Sequence, residues 1–342
     1  MQDLKSRHKL YIIALPFIMA YLIFFSACLN DSARRIPPKA VKGVLDLSDW
    51  DLKKDGPVDL IGEYEFYWMQ HLMPQDFSET NPSENTEFIK VPGYWTGYKL
   101  GGKELPGQGY VTYRLNVVLN RQKEPLALRT VEISNAYNIF VNGQRVGSLG
   151  QAGKNRETTV PRQFPQIIDF AHNTNQMEII IQVSNFHHRR GGVWEVIQLG
   201  REKDLRKARE RRLSFDLLLI GSILLMALYH LGLFIVRKKD LSPLYFGIFC
   251  FLMALRSLST GGRYLMLAFP DLSWELMIKF EYLSFYLCVP AFAMFMRSIF
   301  QKFSERFLRL LEMLAIAFSA IVIFTPARFF SNTLNLYEII TL

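Results

Sequence analysis

The chain has 342 residues, of which 50% are hydrophobic, 14% aromatic and 21% charged; 40 Lys and Arg against 31 Asp and Glu leave a net charge of +9. This composition excludes disorder as the main state, and the length allows two or three domains with a sizeable core. The basic excess does not indicate nucleic acid, because much of it sits in short clusters beside long apolar runs, as Lys and Arg do in membrane proteins. Three cysteines, with no CxxC pair and no Cys/His spacing of the zinc type, give neither a disulfide framework nor a structural metal site, and no cofactor is expected.

Residues 1–28 read as a targeting segment. Lys5, Arg7 and Lys9 precede an apolar run from Leu10 to Phe25, and Ser26-Ala27-Cys28 closes it, which is the order of a secretory signal. The Ser-Ala-Cys ending resembles a bacterial lipobox and makes Cys28 the lipidation candidate. The alternative is an uncleaved signal anchor with an incidental cysteine. Under both readings the domain that follows is exported.

Residues 40–200 read as an all-β domain. Short β-rich segments alternate with Gly, Pro, Asn and Asp clusters, without a helical period. The predicted strands are Val58–Tyr67, Glu87–Val91, Gly109–Leu119, Leu126–Ile133, Tyr137–Val141, Gln166–Phe170, Met177–Val183 and Val193–Leu199. Strands at this spacing indicate a sandwich or barrel. Val141-Asn142-Gly143-Gln144-Arg145-Val146 is a hairpin signal, since Asn-Gly supplies the positive φ of a type I′ turn. The unbroken Ile179-Ile180-Ile181 predicts a strand covered on both faces.

Four stretches come in a recognisable order: Val91-Pro92-Gly93-Tyr94-Trp95, Gly109–Leu115, Val141-Asn142-Gly143 with Val146-Gly147, and Ile181-Gln182-Val183-Ser184-Asn185. That series resembles the galactose-binding-like jelly roll that forms the sugar-binding domain of β-galactosidases and β-glucuronidases. The resemblance implies a jelly-roll sandwich over about residues 44–200. The glycosidase site of that family lies in a separate barrel domain, so no catalytic carboxylate pair carries over.

Residues 201–212 hold seven basic residues next to the first apolar run, predicting an amphipathic helix on anionic headgroups. The plainer alternative is a solvated connecting helix in which Glu202, Asp204 and Glu210 pair part of the charge. Residues 213–342 then read as a multi-span membrane domain. Leu213–Val236 exceeds the roughly 20 residues needed to cross a bilayer, and Ser242–Ser259, Met277–Ile299 and Phe307–Phe324 are further spans. A fifth begins near Thr333, and the chain reads as the input part of a longer protein. Clusters at Lys5–Lys9, Arg237–Lys239 and Arg297–Arg309 go inside by the positive-inside rule, leaving only Arg263 and Arg328 in the outer loops. This predicts a bacterial inner-membrane protein with residues 29–212 on the extracytoplasmic side.

Ser184–Gly192, Ser242–Gly247 and Leu283–Leu287, following an exported jelly roll, resemble the bacterial seven-transmembrane receptors with diverse intracellular signalling modules. The resemblance implies seven spans and a cytoplasmic output such as a cyclase, kinase or phosphatase. It also implies a receptor that senses a carbohydrate-like or other small ligand, with membrane lipids and a second copy of the chain as partners, and no nucleic acid.

His187, His188, Arg189 and Arg190, close to Trp194, offer donors and an aromatic face for a ligand, with Trp95 and Tyr137 as further aromatic candidates. For Trp95, Tyr98 and Tyr137 the plainer reading is sandwich core. The Gly143–Lys154 stretch fails as a P-loop, because Asn155 stands where Ser or Thr is required. Asp46, Asp49 and Asp51 lack the spacing of an EF-hand and read as turn formers. Of the ionisable residues in the spans (Asp216, His230, Arg256, Lys279, Glu281 and Glu312), Arg256 and Glu281 are the pair expected to couple two helices. No nucleophile–base or acid–base pair stands out, so the chain does not read as an enzyme. A glycan-binding surface protein without signalling is the alternative to a sensor; a transporter ranks lower, since only Pro290 interrupts a span centrally.

Overall fold

The computed structural model describes residues 35–77, 86–120, 124–172, 174–300 and 304–341. The predicted signal segment and Cys28 lie outside the described residues.

Fifteen strands precede the α-helices among the described residues. The largest sheet runs β11 (Gln144–Leu149), β10 (Ala136–Val141), β13 (Gln176–Asn185), β8 (Gly109–Leu119), β3 (Gly62–Trp68), β4 (Glu87–Val91), with β1 (Val44–Leu47) pairing in parallel along the far half of β8. The second runs β12 (Gln166–Phe170), β9 (Leu126–Thr130), β15 (Gln198–Arg201), β2 (Val58–Asp59). The inward residues of the two sheets form one apolar cluster that includes Val111, Tyr113, Leu115, Val117, Leu128, Ile168, Ile179, Ile181 and Leu199. This is the jelly-roll-type sandwich expected from the sequence.

The local signals explain the register. Asn142 and Gly143 take φ of 47° and 83°, the type I′ pattern, and Val141 pairs with Gln144 across the turn. Ile180 is as buried as its neighbours because the outer face of the large sheet is itself covered. The segment at Gln70–Leu72 lies across it, with Thr112 Oγ1 donating to Gln70 O (2.8 Å) and Gln182 Nε2 donating to Leu72 O (3.0 Å).

Two predicted strands are each two pieces. Val58–Tyr67 breaks after Asp59 because Leu60 and Ile61 carry the chain from one sheet to the other. Val193–Leu199 divides into β14 (Gly192–Val193), which pairs with β5 (Gly93–Tyr94), and β15. Two short strands, β6 (Lys99–Leu100) and β7 (Lys103–Glu104), form a separate hairpin. The aspartates near residue 50 do form turns: Asp46 accepts from Ser48 N and Asp51 from Lys53 N.

Helix α1 (Glu202–Val236) runs unbroken from the basic stretch through the first span. A segment lying on headgroups needs a break near Leu213, and this helix is continuous through it; at about 1.5 Å per residue it is about 50 Å long, more than a bilayer core. Its first turns pair with the sandwich instead: Asp204 with Arg201 at the end of β15, Lys203 with Glu124, and Arg206 with Asp169, while Glu202 supports Arg206 within the helix. Then come α2 (Ser242–Ser259), the short α3 (Tyr264–Ala268), α4 (Trp274–Ile299), α5 (Glu305–Phe324), the short α6 (Ala327–Phe330) and α7 (Leu334–Thr341). Four of them, α1, α2, α4 and α5, are long and apolar enough to cross a membrane. The α2 helix starts where Asp240 accepts from Ser242 N with Pro243 in the first turn, and α4 starts where Ser273 accepts from Leu276 N. In chain order α1 packs on α2, α2 on α4 and α4 on α5. Gly247 lets α1 and α2 approach closely, since a Cβ there would come within 2.9 Å of the Leu231 side chain.

Candidate functional site at the seam

The polar chemistry of the molecule converges where the sandwich meets one end of the helices. Its centre is Arg263, in the short turn between α2 and α3. Its side chain is 4% exposed and its guanidinium is shared between two carboxylates from different halves of the molecule. Nη2 donates to Glu132 Oε1 (2.7 Å) in the loop after β9, and Nη1 donates to Glu281 Oε2 (3.0 Å) on α4. Nη1 also donates to Ser259 O at the end of α2 (3.0 Å). Burial alone would weaken the protonated form, but the two carboxylates more than offset it and hold the pKa above the ordinary arginine value. The group is therefore a permanent charge tying the sandwich to α2 and α4.

The predicted Arg256–Glu281 ion pair is not what forms. Arg256 donates to the backbone carbonyl of Glu281 (3.1 Å) and lies over the Phe285 ring at 4.7 Å, while the Glu281 carboxylate goes to Arg263. The two helices do meet at these residues, but the charge partner is Arg263. Its signal was present in the sequence: a basic residue kept in a short loop where the positive-inside rule disfavours one has a specific partner to satisfy. Glu132 carried no such signal.

The second element is the loop 186–192. Asn185 fixes it by accepting from His188 N (3.1 Å) and donating to Gly107 O and His188 O. Gly191 is required, since a Cβ would stand 2.0 Å from the Trp95 ring. His187 Nε2 lies 3.1 Å from Thr159 O, and its ring meets that of Trp274, the first residue of α4, edge-on. His188 is buried against Trp194, with ring centroids 4.8 Å apart. Burial first, and the surrounding arginines after it, lower its pKa from 6.5 to about 4 against an opposing hydrogen bond with Arg190, so the imidazole is neutral at pH 7. Arg190 lies over the Tyr94 ring at 4.8 Å. Arg189 crosses to the helical half, where its backbone N–H donates to Ser331 Oγ (3.3 Å) and Nη2 to Asn335 Oδ1 (3.0 Å).

The structure thus brings together His187, His188, Arg189, Arg190 and Trp194, but at a junction with the helices. Trp95 lies under Gly191 of the same loop but inside the sandwich core, and Tyr137 is buried in β10. Both are at most 1% exposed, and Trp95 donates to Pro106 O (3.1 Å), while Tyr137 donates to Gln166 Oε1 and shares a hydrogen bond with Thr130 Oγ1. Neither ring presents a face on which a ligand could stack; they are sandwich core, as is Tyr98 in part. Two more contacts close the seam: Trp274 Nε1 donates to Gln163 Oε1 (3.2 Å), and Arg162 Nη2 donates to Pro270 O (2.9 Å).

Among the described residues, no group of three or more His, Cys, Asp or Glu stands in metal-binding array. A jelly-roll-type sandwich clamped onto a set of membrane-spanning helices defines a membrane protein with a folded extramembrane domain. Its helical part, residues 212–342, matches the family model described as 7TM diverse intracellular signalling, and the chain resembles the bacterial seven-transmembrane receptors of that kind. No curated protein matches the chain. Solved structures similar to it include a β-glucuronidase from an uncultured Clostridium sp., at 16% identity and a TM-score of 0.33, covering 42% of this chain and 28% of that one. A second is β-glucuronidase from Ruminococcus gnavus in complex with uronic deoxynojirimycin, at 13% identity, a TM-score of 0.33 and the same coverage. The chain spans less than a third of the length of those enzymes.

Proposed function

We propose that this chain is the input part of a membrane-bound sensory receptor: the sandwich, on the extracytoplasmic side of a bacterial inner membrane, binds a carbohydrate-like or other small ligand. The resulting change passes through the seam into the helices and on to a cytoplasmic output module. The observation that carries the reading is the Glu132–Arg263–Glu281 bridge, since a shift of the loop after β9 would move a charge locked to both α2 and α4. Arg189 gives a second link: Ser331 precedes α7 and Asn335 lies in its first turn, and Tyr337 of the same helix donates to Tyr286 O of α4 (2.7 Å). A ligand shifts such a bundle only by its differential affinity for two arrangements.

The test is a panel of mono- and oligosaccharides titrated onto the chain in lipid nanodiscs, followed by hydrogen exchange. Binding should change exchange at the ends of α2 and α4 near residues 256–263 and 274–282, and Arg263→Gln should remove that change while leaving binding in place. Binding with unaltered exchange in the helices would favour a glycan-binding surface protein that sends no signal.

A further inference from the structure

Between the sandwich and the turn around α6 lies a cleft of about 490 Å³, lined by Gln108, Arg156, Arg189, Arg328, Phe329 and Asn332, among others. Three arginines line it and no carboxylate does. Among the described residues, none of the three forms an ion pair, whereas Arg263 at the same seam has two. Arg189 Nε is moreover buried without an acceptor. Desolvating a guanidinium N–H with nothing to accept it is costly, and three like charges around one opening repel unless an anion enters.

The arginines are held by ordered backbone. Arg156 sits in a loop closed by the Gln151–Val160 bridge and by Asn155, which accepts from Thr158 N. Arg189 is anchored by Ser331 and Asn335, and Arg328 lies on α6. The cleft thus has one wall on the sandwich and one on the helical half, with Phe329 adding an apolar side.

We propose that this cleft binds a phosphate-bearing ligand, the three guanidinium groups taking the phosphate oxygens and Gln108 and Asn332 the polar groups beside it. A doubly charged phosphate matches three arginines better than a single carboxylate, and guanidinium forks fit its oxygens. The phosphate belongs either to a soluble phosphorylated molecule or to a lipid headgroup, because the turn at 326–332 joins membrane-spanning α5 to the next apolar segment. The inference deepens the receptor reading by naming a ligand chemistry at the same seam. Its test reads binding alone, so its failure leaves the coupling experiment intact.

The probe is glycerol 3-phosphate, titrated calorimetrically onto the chain in maltoside micelles free of phospholipid. Saturable binding is expected. It should weaken about tenfold in Arg189→Gln and several-fold in Arg328→Gln and Arg156→Gln, as loss of charge-assisted bonds predicts. Arg328 and Arg156 are exposed, so their variants keep the fold if Arg189→Gln does not. Arg145→Gln, on the far hairpin, should bind as the parent does. Repeating the titration in phosphatidylcholine nanodiscs with rising phosphatidylglycerol separates the sources: competition marks a lipid headgroup, and unchanged affinity marks a soluble ligand. Absence of binding, or equal binding in all three arginine variants, overturns the proposal.

Discussion

In the sandwich, Leu115, Val117, Ile179 and Ile181 are at most 1% exposed, whereas on α1 Leu218, Leu225 and Leu228 are 66%, 69% and 67% exposed. The same residue type is thus turned inward in one half and outward in the other. The sandwich excludes water from its apolar residues by packing sheet on sheet. The helices need no such core where lipid is the solvent, so only 11% of the most apolar stretch of α1 is buried, against 39% for α4. The difference shows what holds each half together: side-chain packing in the first, close helix contacts and a few polar locks in the second. Where the two meet, neither solution suffices, and the seam is held by buried charge.

The largest effect should follow from opening the sandwich core. Trp95→Ala removes a fully buried ring and its hydrogen bond to Pro106, at a cost of up to about 5 kcal/mol. Urea unfolding followed by the β-sheet signal should show it. A loss under about 1 kcal/mol would mean that Trp95 is not core. Next comes Arg263→Ala, which leaves Glu132 and Glu281 facing each other without a cation, at about 4 kcal/mol. The triple change Arg263→Met with Glu132→Gln and Glu281→Gln should cost far less than the single one, because an unpaired buried charge costs more than a missing set of partners. Equal losses in the two would place the bridge in solvent.

The periodicities of both halves were legible, since alternation in Gly109–Leu119 and long apolar runs such as Leu213–Val236 are local properties. The Asn-Gly hairpin was legible for the same reason. What failed was partner choice over distance. Glu281 and Arg256 stand on helices that do meet, yet the carboxylate is taken by Arg263, a residue whose pairing also depends on Glu132, 131 positions away in the chain. The aromatic candidates divided likewise. Trp194 packs on His188, whereas Trp95 and Tyr137 are buried in the sandwich core, a difference set by long-range packing that residue type does not encode.

A smaller effect comes from acid. His188 and His71 are both buried enough to lower their pKa from 6.5 to about 4. Between those pH values the unfolded chain binds protons that the folded one refuses, so stability is full above about pH 6.5 and falls as pH drops toward 4. The slope is about 1.4 kcal/mol per pH unit for each histidine where the difference is fully developed. His188→Gln should remove about half the combined slope, measured as unfolding midpoints from pH 7 to pH 4.5; an unchanged slope would show that His188 is solvated. Below this lies Gly143→Ala, where nothing stands within 4 Å of the added Cβ but φ is 83°, at about 1 kcal/mol.

The smallest effect is expected on the outer face of α1. Leu218→Ala deletes the same atoms as Leu115→Ala, a substitution expected to cost about 2–5 kcal/mol in the sandwich. At Leu218 the side chain faces outward, and its loss should change the stability of the purified chain by less than about 0.5 kcal/mol. Loss of an outward leucine reduces the affinity of α1 for lipid by roughly 0.5 kcal/mol, a change that alters insertion rather than packing. Thermal unfolding in nanodiscs reads the packing term, because the helix stays in lipid on both sides of the transition. A cost at Leu218 equal to that at Leu115 would mean that this face of α1 is covered, and the surface would then belong to a protein interface rather than to lipid.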